Sequence, residues 1–277
     1  MYLMIKKMHS IFVGYGGTLR YRLLWDFLGL LIRNRWMHAQ SSGVTSIAGK
    51  RMVYSNRASL YGMFVEIFID QNYYLEQTDA PLVIIDCGSN IGMSLLYFAT
   101  RAPQARITSF EPNPHTFGIL MQNIDQNDFL VEAKNIGLGA FVGTATLNTD
   151  VYDMASQSAS VTRHLESKGR PLQTVQIEIQ KLSSYIVASV DILKLDIEWL
   201  EGEVVEDLVE SGAIMHVKTM FIEYHYDGVH TVYPLGNLLS NLERSGFIYV
   251  IESPIQFPYT ARTRPSYLSY KIVAWRI

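Results

Sequence analysis

From Leu82 onward the chain alternates short apolar runs with longer stretches of helical spacing. "LVIID" is a nearly continuous apolar run, the pattern of a strand buried on both faces. "IGMSLLYFATRAP" follows with helical spacing and stops at Pro103. "ARITSFE" reads as a second strand ending in an acid, "PHTFGILMQNIDQN" as a second helix, and "FLVEAKNIGL" as a third strand. This order predicts an α/β fold with a doubly wound, Rossmann-like sheet. Further on, "TATLNTD" predicts a strand, "TVQIEIQKL" alternates like a half-buried strand, and "DILKLDIE" is an apolar strand ending in two carboxylates. "LEGEVVEDLVESG" is a helix with a glycine stop, "VKTMFIEYHY" a strand, and "YPLGNLLSNLERSG" a helix. "FIYVIES" and "YLSYKIVAWRI" follow one another without an intervening helix, which predicts a C-terminal antiparallel strand pair.

Residues 1–80 are less regular and read as an N-terminal helical or mixed cap region on a main domain spanning 81–277. Helical spacing appears near Tyr21 to Met37. The most apolar part of it, "LLWDFLGLLIRNRWM", is interrupted by Asp26, Arg33 and Arg35 and falls short of the roughly 18–20 residues of a membrane span. It is expected to pack on its own domain, with a membrane surface or a partner as the alternatives. "MFVEIFID", Met63 to Asp70, fits a strand or a short helix. The serine-rich stretch Asp153 to Pro171 reads as a surface loop.

Composition narrows the partners. The 277 residues are 48% hydrophobic and 18% charged, enough to bury a full core. The formal net charge of -3 offers no general electrostatic case for nucleic acid, although local basic patches are compatible with it. The single cysteine, Cys87, excludes a disulfide framework within the chain and a multi-cysteine zinc site. At the end of an apolar strand it is expected to be a small buried hydrophobe. With no clean signal-peptide core in the first residues, a cytoplasmic setting is expected.

The first predicted strand runs into a turn, "VIIDCGSNIG", where Gly88 and Gly92 flank Ser89-Asn90-Ile91. Glycine permits close backbone approach there, and the amides at the following helix start can face a negative group. A dinucleotide fingerprint needs G-x-G-x-x-G, and this turn reads G-x-x-x-G, a poor match for a pyrophosphate. Glu111, in "FEPNP", lies 25 residues after Asp86 at the end of the second strand. An acid in that place accepts hydrogen bonds from ribose hydroxyls.

Taken together, "IIDCGSNIGMSLLYFA", "SFEPNP", "ILKLDIEWLE" and "FIEYHY" resemble the FkbM-type methyltransferases, over roughly Tyr61 to Phe247. The resemblance implies a class I methyltransferase sheet and S-adenosyl-L-methionine as cofactor. It further implies that Asp86, Gly88, Asn90 and Gly92 surround the methionine portion of the donor, that Glu111 binds the ribose, and that Asn113 and Asn135 lie near the ribose or adenine. Family members methylate hydroxyls of sugars and other small molecules, so a small-molecule or glycan acceptor is implied, not a nucleic acid. Such proteins commonly carry Gly-Ala where this chain has Trp199 and Leu200, so Trp199 is expected either to wall the acceptor pocket or to narrow it.

Asp196 and Glu198 are two apart on a predicted strand end, as are Glu223 and His225 on the next. On regular strands each pair shares a face. Deprotonating a hydroxyl needs a nearby base, and His225, with an ordinary pKa of about 6.5, suits that role. Asp196 or Glu198 could serve instead, or orient the histidine, while Glu223 and His164 are expected to contact the acceptor. Arg163 and the Tyr73-Tyr74 pair are weaker candidates for that contact. Carboxylates and an imidazole are acceptable metal ligands, but the spacing matches no metal signature and no metal centre is expected. Two other readings compete with an O-methyltransferase: a nicotinamide-dependent oxidoreductase, and a non-catalytic binding protein on the same fold.

Overall fold

The computed structural model describes residues 2–36, 41–150, 172–226, 233–252 and 268–276. The chain begins with helices α1 (Tyr2–Gly14) and α2 (Gly17–Trp36), the antiparallel hairpin β1 (Gly43–Ile47) and β2 (Lys50–Tyr54), and helix α3 (Arg57–Phe64). Asn56 caps α3 by accepting from the amides of Ala58 and Ser59. Helix α3 runs on into a π-helical turn, Val65–Ile69, so the segment that fitted strand or helix is helical throughout. Its Met63, Phe64, Ile67 and Phe68 are all buried, and helical winding is what turns them toward one core.

The main domain then alternates β3 (Val83–Cys87), α4 (Met93–Arg101), β4 (Arg106–Phe110), α5 (Pro114–Asp125) and β5 (Val131–Lys134). A short β6 (Gly137–Leu138) pairs with β8 (Leu172–Gln180), whose other neighbour is β7 (Gly143–Asp150), in a separate three-stranded sheet. After β9 (Val190–Leu195) come α6 (Glu201–Glu210), β10 (Val217–Tyr226), α7 (Leu235–Arg244), β11 (Ile248–Glu252) and β12 (Leu268–Trp275).

Seven strands form the central sheet in the order β11-β12-β10-β9-β3-β4-β5. Neighbours from β10 to β5 are parallel, and β12 is antiparallel to both β10 and β11. The expected antiparallel pair is present, with β12 inserted between β10 and β11. Strand order reverses between β3 and β9, the switch point at which open α/β sheets hold ligands beyond their carboxyl ends. This is the Rossmann-like methyltransferase fold.

Alternation along each strand feeds two cores. Ile84 and Ile192 face a cluster with α4, α5 and the N-terminal helices, and Ile85 and Leu193 face a cluster with α6 and α7. That is why these strands read as unbroken apolar runs. Ile11, Leu23, Phe27 and Leu30 of the cap share the first cluster with Leu96 and Ile107, so the cap is continuous with the main domain's core. Asn123 of α5 ties the two by hydrogen bonds, donating to the carbonyls of Val53 and Ile91 and accepting from the Val53 amide. Cys87 is fully buried and free, and burial pushes its thiol well up, as for a small core residue.

Candidate active site

The turn after β3 is built on three left-handed residues, Gly88 (φ 81°), Asn90 (φ 49°) and Gly92 (φ 92°). Gly88 also approaches the β9 strand end so closely that a Cβ would lie 1.8 Å from the Asp196 carbonyl oxygen. Glycine is required there for both reasons. The neighbouring strand end holds Glu111, 6% exposed, whose two carboxylate oxygens accept one backbone amide each, from Asn90 at 3.0 Å and Asn113 at 2.9 Å. Burial pushes Glu111 up to about 7, and the two amides only partly offset it. Each oxygen keeps a second lone pair, so the carboxylate can still receive two hydroxyl groups. A ribose diol meets that requirement, and the residues present therefore fit the nucleoside end of S-adenosylmethionine.

Asn113 and Asn135 serve this strand end structurally. The Asn113 carboxamide oxygen caps α5, accepting from the amides of His115 and Thr116. Asn135 donates to the carbonyls of Glu111 and Pro112, bracing the segment that carries Glu111. Asp86 is fully buried, accepts from the Ser94 hydroxyl, and pairs with Lys194 at 3.3 Å.

Lys194, unremarked in the sequence reading, joins the two halves of the site. Its ammonium group donates to the Gly88 carbonyl at 2.6 Å and the Cys87 carbonyl at 3.2 Å, and lies 3.4 Å from Asp196. Burial opposes its charge, but Asp86 and Asp196 outweigh that and raise its pKa. The apolar run "DILKLDIE" around it was the available signal, since a lysine inside a buried strand requires carboxylate partners. Tyr73 also reaches the site, donating to Asp196 at 3.2 Å, whereas Tyr74 stands half exposed.

The acidic strand end differs from its sequence reading in one respect. Asp196 and Glu198 do not converge by strand alternation, because β9 ends at Leu195 and the backbone turns left-handed at Glu198 (φ 58°) and Trp199 (φ 88°). Glu201, the first residue of α6, holds that turn by accepting from the amides of Ile197 and Trp199, each at 3.2 Å. The same Glu201 oxygen lies 2.8 Å from His225 Nδ1. His225 Nε2 is 3.7 Å from Glu198 and 4.0 Å from Glu223, and the Trp199 ring lies 6.1 Å from the imidazole, centroid to centroid. Glu223 and His225 do share a face of β10, as their spacing predicted. His164 and Arg163 lie outside the described residues.

Charge in this cluster is redistributed. Burial works against a charged His225, but the Glu201 and Glu198 carboxylates overcome it and hold the imidazole well above its usual range. Burial, with repulsion from Asp196, Glu201 and Glu223, pushes Glu198 up to about 8. Burial and the Asp196 charge push Glu223 up to about 7. The cluster thus holds carboxyl groups pushed up toward neutrality beside a histidine whose protonated form its carboxylate neighbours favour. Asp196, Glu198 and His225 also offer one ligand atom each within 4.8 Å of one another, a donor set suited to a divalent cation.

The methyltransferase FkbM domain model matches residues 86–249, a range that contains both strand ends. Methyltransferase 1 of Beauveria bassiana is 31% identical over 177 residues, covering 56% of this chain and 71% of that protein. Methyltransferase sdnD of Sordaria araneosa is 28% identical, covering 59% of this chain and 75% of its own length. The 31-O-demethyl-FK506 methyltransferase FkbM of Streptomyces tacrolimicus is 25% identical, covering 76% of this chain and 91% of its own length. With the donor-compatible turn, the ribose-compatible carboxylate and this match across more than half its length, the chain belongs to the FkbM methyltransferase family and is an S-adenosylmethionine-dependent enzyme.

Proposed function

We propose that the enzyme methylates a hydroxyl group of a small molecule or glycan, and that Glu198 takes the hydroxyl proton. The observation that carries this reading is the convergence of Glu198, Glu223 and His225 beside the switch point. The bound donor supplies a methyl group on a positively charged sulfur. The Glu111 carboxylate and the Gly88–Gly92 turn would hold its nucleoside and methionine ends. A base works best when its pKa lies near the working pH, and Glu198 meets that condition. The sequence pointed to His225 for this role, with Asp196 or Glu198 as alternatives; the Glu201 and Glu198 carboxylates favour its cationic form, which has no free ring nitrogen to accept a proton. In this reading it is instead the fixed cation that orients Glu198 and the acceptor. Trp199 walls the acceptor side beside it.

The hydroxyl-methylating activity of the Streptomyces relative supports an oxygen acceptor. The net charge of -3 and the acidic cluster favour a neutral or cationic acceptor over a nucleic acid, and the lone buried cysteine fits a cytoplasmic location. The test is transfer of labelled methyl groups to a panel of sugars, glycosides and polyols, with the product bond located by NMR. An O-methyl product that disappears with Glu198→Gln supports the reading, and methylation at nitrogen or carbon overturns it.

A second reading rests on the ligand atoms within 4.8 Å: a divalent cation held by Asp196, Glu198 and His225 would lower the hydroxyl pKa in place of a free base. The Glu201–His225 bond then resembles the carboxylate that commonly orients a metal-binding histidine.

A further inference from the structure

Helix α2 is apolar on two opposite sides. Leu23, Phe27 and Leu30 are buried in the domain core, whereas Tyr21, Trp25 and Ile32 are 60%, 75% and 58% exposed. At about 100° per residue, those three fall within about 40° of arc, opposite the buried side. Such a helix calls for a second apolar surface. Phe12 of α1 is also exposed, and the Arg20 guanidinium of α2 lies 4.2 Å above its ring.

Charge separates the candidate occupants of this face. Residues 2–36 carry Lys6, Lys7, Arg20, Arg22, Arg33 and Arg35 against one acid, Asp26, in a chain whose net charge is -3. The Asp26 carboxylate is engaged by the Ala48 amide at 2.8 Å. A two-fold contact with a second copy would set two cationic faces against each other. A nucleic acid duplex would satisfy the charge and leave Ile32 without a role. An anionic bilayer satisfies both, since tryptophan and tyrosine rings sit at headgroup depth while arginine stems lie along apolar surface and present their charge to phosphates. No helix among the described residues is long and apolar enough to cross a membrane, so contact would lie in the plane of the surface.

We propose that α1 and α2 form a docking face for an anionic lipid bilayer, with Tyr21, Trp25 and Ile32 entering the headgroup region and the exposed Arg22 and Arg33 beside them holding lipid phosphates. Docking would bring the methyltransferase to acceptors carried at a membrane surface. It does not depend on which hydroxyl is methylated.

The test is co-sedimentation of the whole chain with phosphatidylcholine vesicles, with and without about one-third phosphatidylserine. Each basic residue near such a surface is worth about fivefold in affinity, so at low salt the anionic vesicles should bind at least about tenfold more tightly. Replacing Tyr21, Trp25 and Ile32 together with glutamate should lose at least about tenfold of that binding, with S-adenosylhomocysteine affinity retained as the measure of folding. Arg22→Glu with Arg33→Glu should abolish the preference for anionic lipid in an independently prepared variant. Failure to bind anionic vesicles, equal binding to both vesicle types, or binding that survives the triple replacement would overturn the proposal. So would a dimer in light scattering that the triple replacement converts to monomer, or a duplex RNA that binds this face when vesicles do not.

Discussion

Glu201 Oε1 lies 2.8 Å from His225 Nδ1, with both side chains almost fully buried, and the same oxygen accepts the amides of Ile197 and Trp199. One carboxylate therefore orients the imidazole and holds the turn that carries Glu198. Removing it takes away the nearest partner of the buried imidazole and the acceptor of two amides, and breaking a buried pair typically costs about 3–5 kcal/mol. Glu201→Ala should lose stability in that range by urea unfolding. Glu201→Gln keeps an acceptor for the two amides and should lose less. Equal stability of Glu201→Ala and the parent would show that the pair carries no such burden.

Glu198 gives a pH signature. Its carboxyl is raised to about 8, so kcat/KM should climb as pH rises through that value and the base ionises. Glu198→Gln should lower kcat about 100–10,000-fold, leave S-adenosylhomocysteine affinity within about threefold, and flatten the climb. The stability effect has the opposite sign. The native state holds this proton more tightly than the unfolded chain, so its contribution is lost as pH rises from about 4.5 toward 8. Glu198→Gln should therefore melt higher than the parent at pH 8 and nearly alike at pH 4. A parent whose melting temperature rises from pH 6 to 8 relative to the variant would contradict the assignment.

The Glu111 carboxylate should recognise the donor's ribose. Charge-assisted hydrogen bonds contribute about 1.5–3 kcal/mol, so Glu111→Ala should weaken S-adenosylhomocysteine about 10–150-fold in calorimetry. Because Glu111 is raised to about 7 and accepts best when ionised, affinity should fall as pH drops below that value. Unchanged affinity in the alanine variant would remove Glu111 from the donor site.

Trp199 occupies a left-handed backbone position (φ 88°) that glycine adopts without strain. Trp199→Gly and Trp199→Ala both lose the ring beside His225, but only glycine relieves the backbone. The glycine variant should be more stable than the alanine variant by about 1–2 kcal/mol. Both should raise the acceptor KM with donor affinity unchanged. An alanine variant as stable as the glycine variant would show that the turn carries no strain.

The metal reading has its own outcome. If Asp196, Glu198 and His225 bind a divalent cation, magnesium or manganese should raise the melting temperature of the parent, and His225→Ala should remove that shift. Full activity after exhaustive chelation, with no shift on adding either ion, would leave Glu198 as an unassisted base.

Much of this architecture was legible along the chain, because its causes are local. Unbroken apolar runs marked strands buried on both faces, helical spacing marked the helices between them, and Gly88, Gly92 and Glu111 marked strand ends suited to a nucleoside. Sheet order brought β9 and β10 together, and with them the two acidic strand ends that the spacing had singled out. What the sequence could not supply were contacts that depend on placement in three dimensions. Tyr73 meets Asp196 across 123 positions, and Lys194 spans from β9 to the turn after β3. Glu201 reads as one of several acids opening a helix, and only the course of the backbone between Leu195 and α6 aims it at His225. Helix α2 shows the same division. Its apolar spacing predicted packing against the domain, but packing covers one side of a helix, and only the folded chain shows that Tyr21, Trp25 and Ile32 are left on the other. Periodicity determines which residues share a face of their own element. Which neighbour that face meets, or whether it meets one at all, is decided by the order and register in which distant elements assemble.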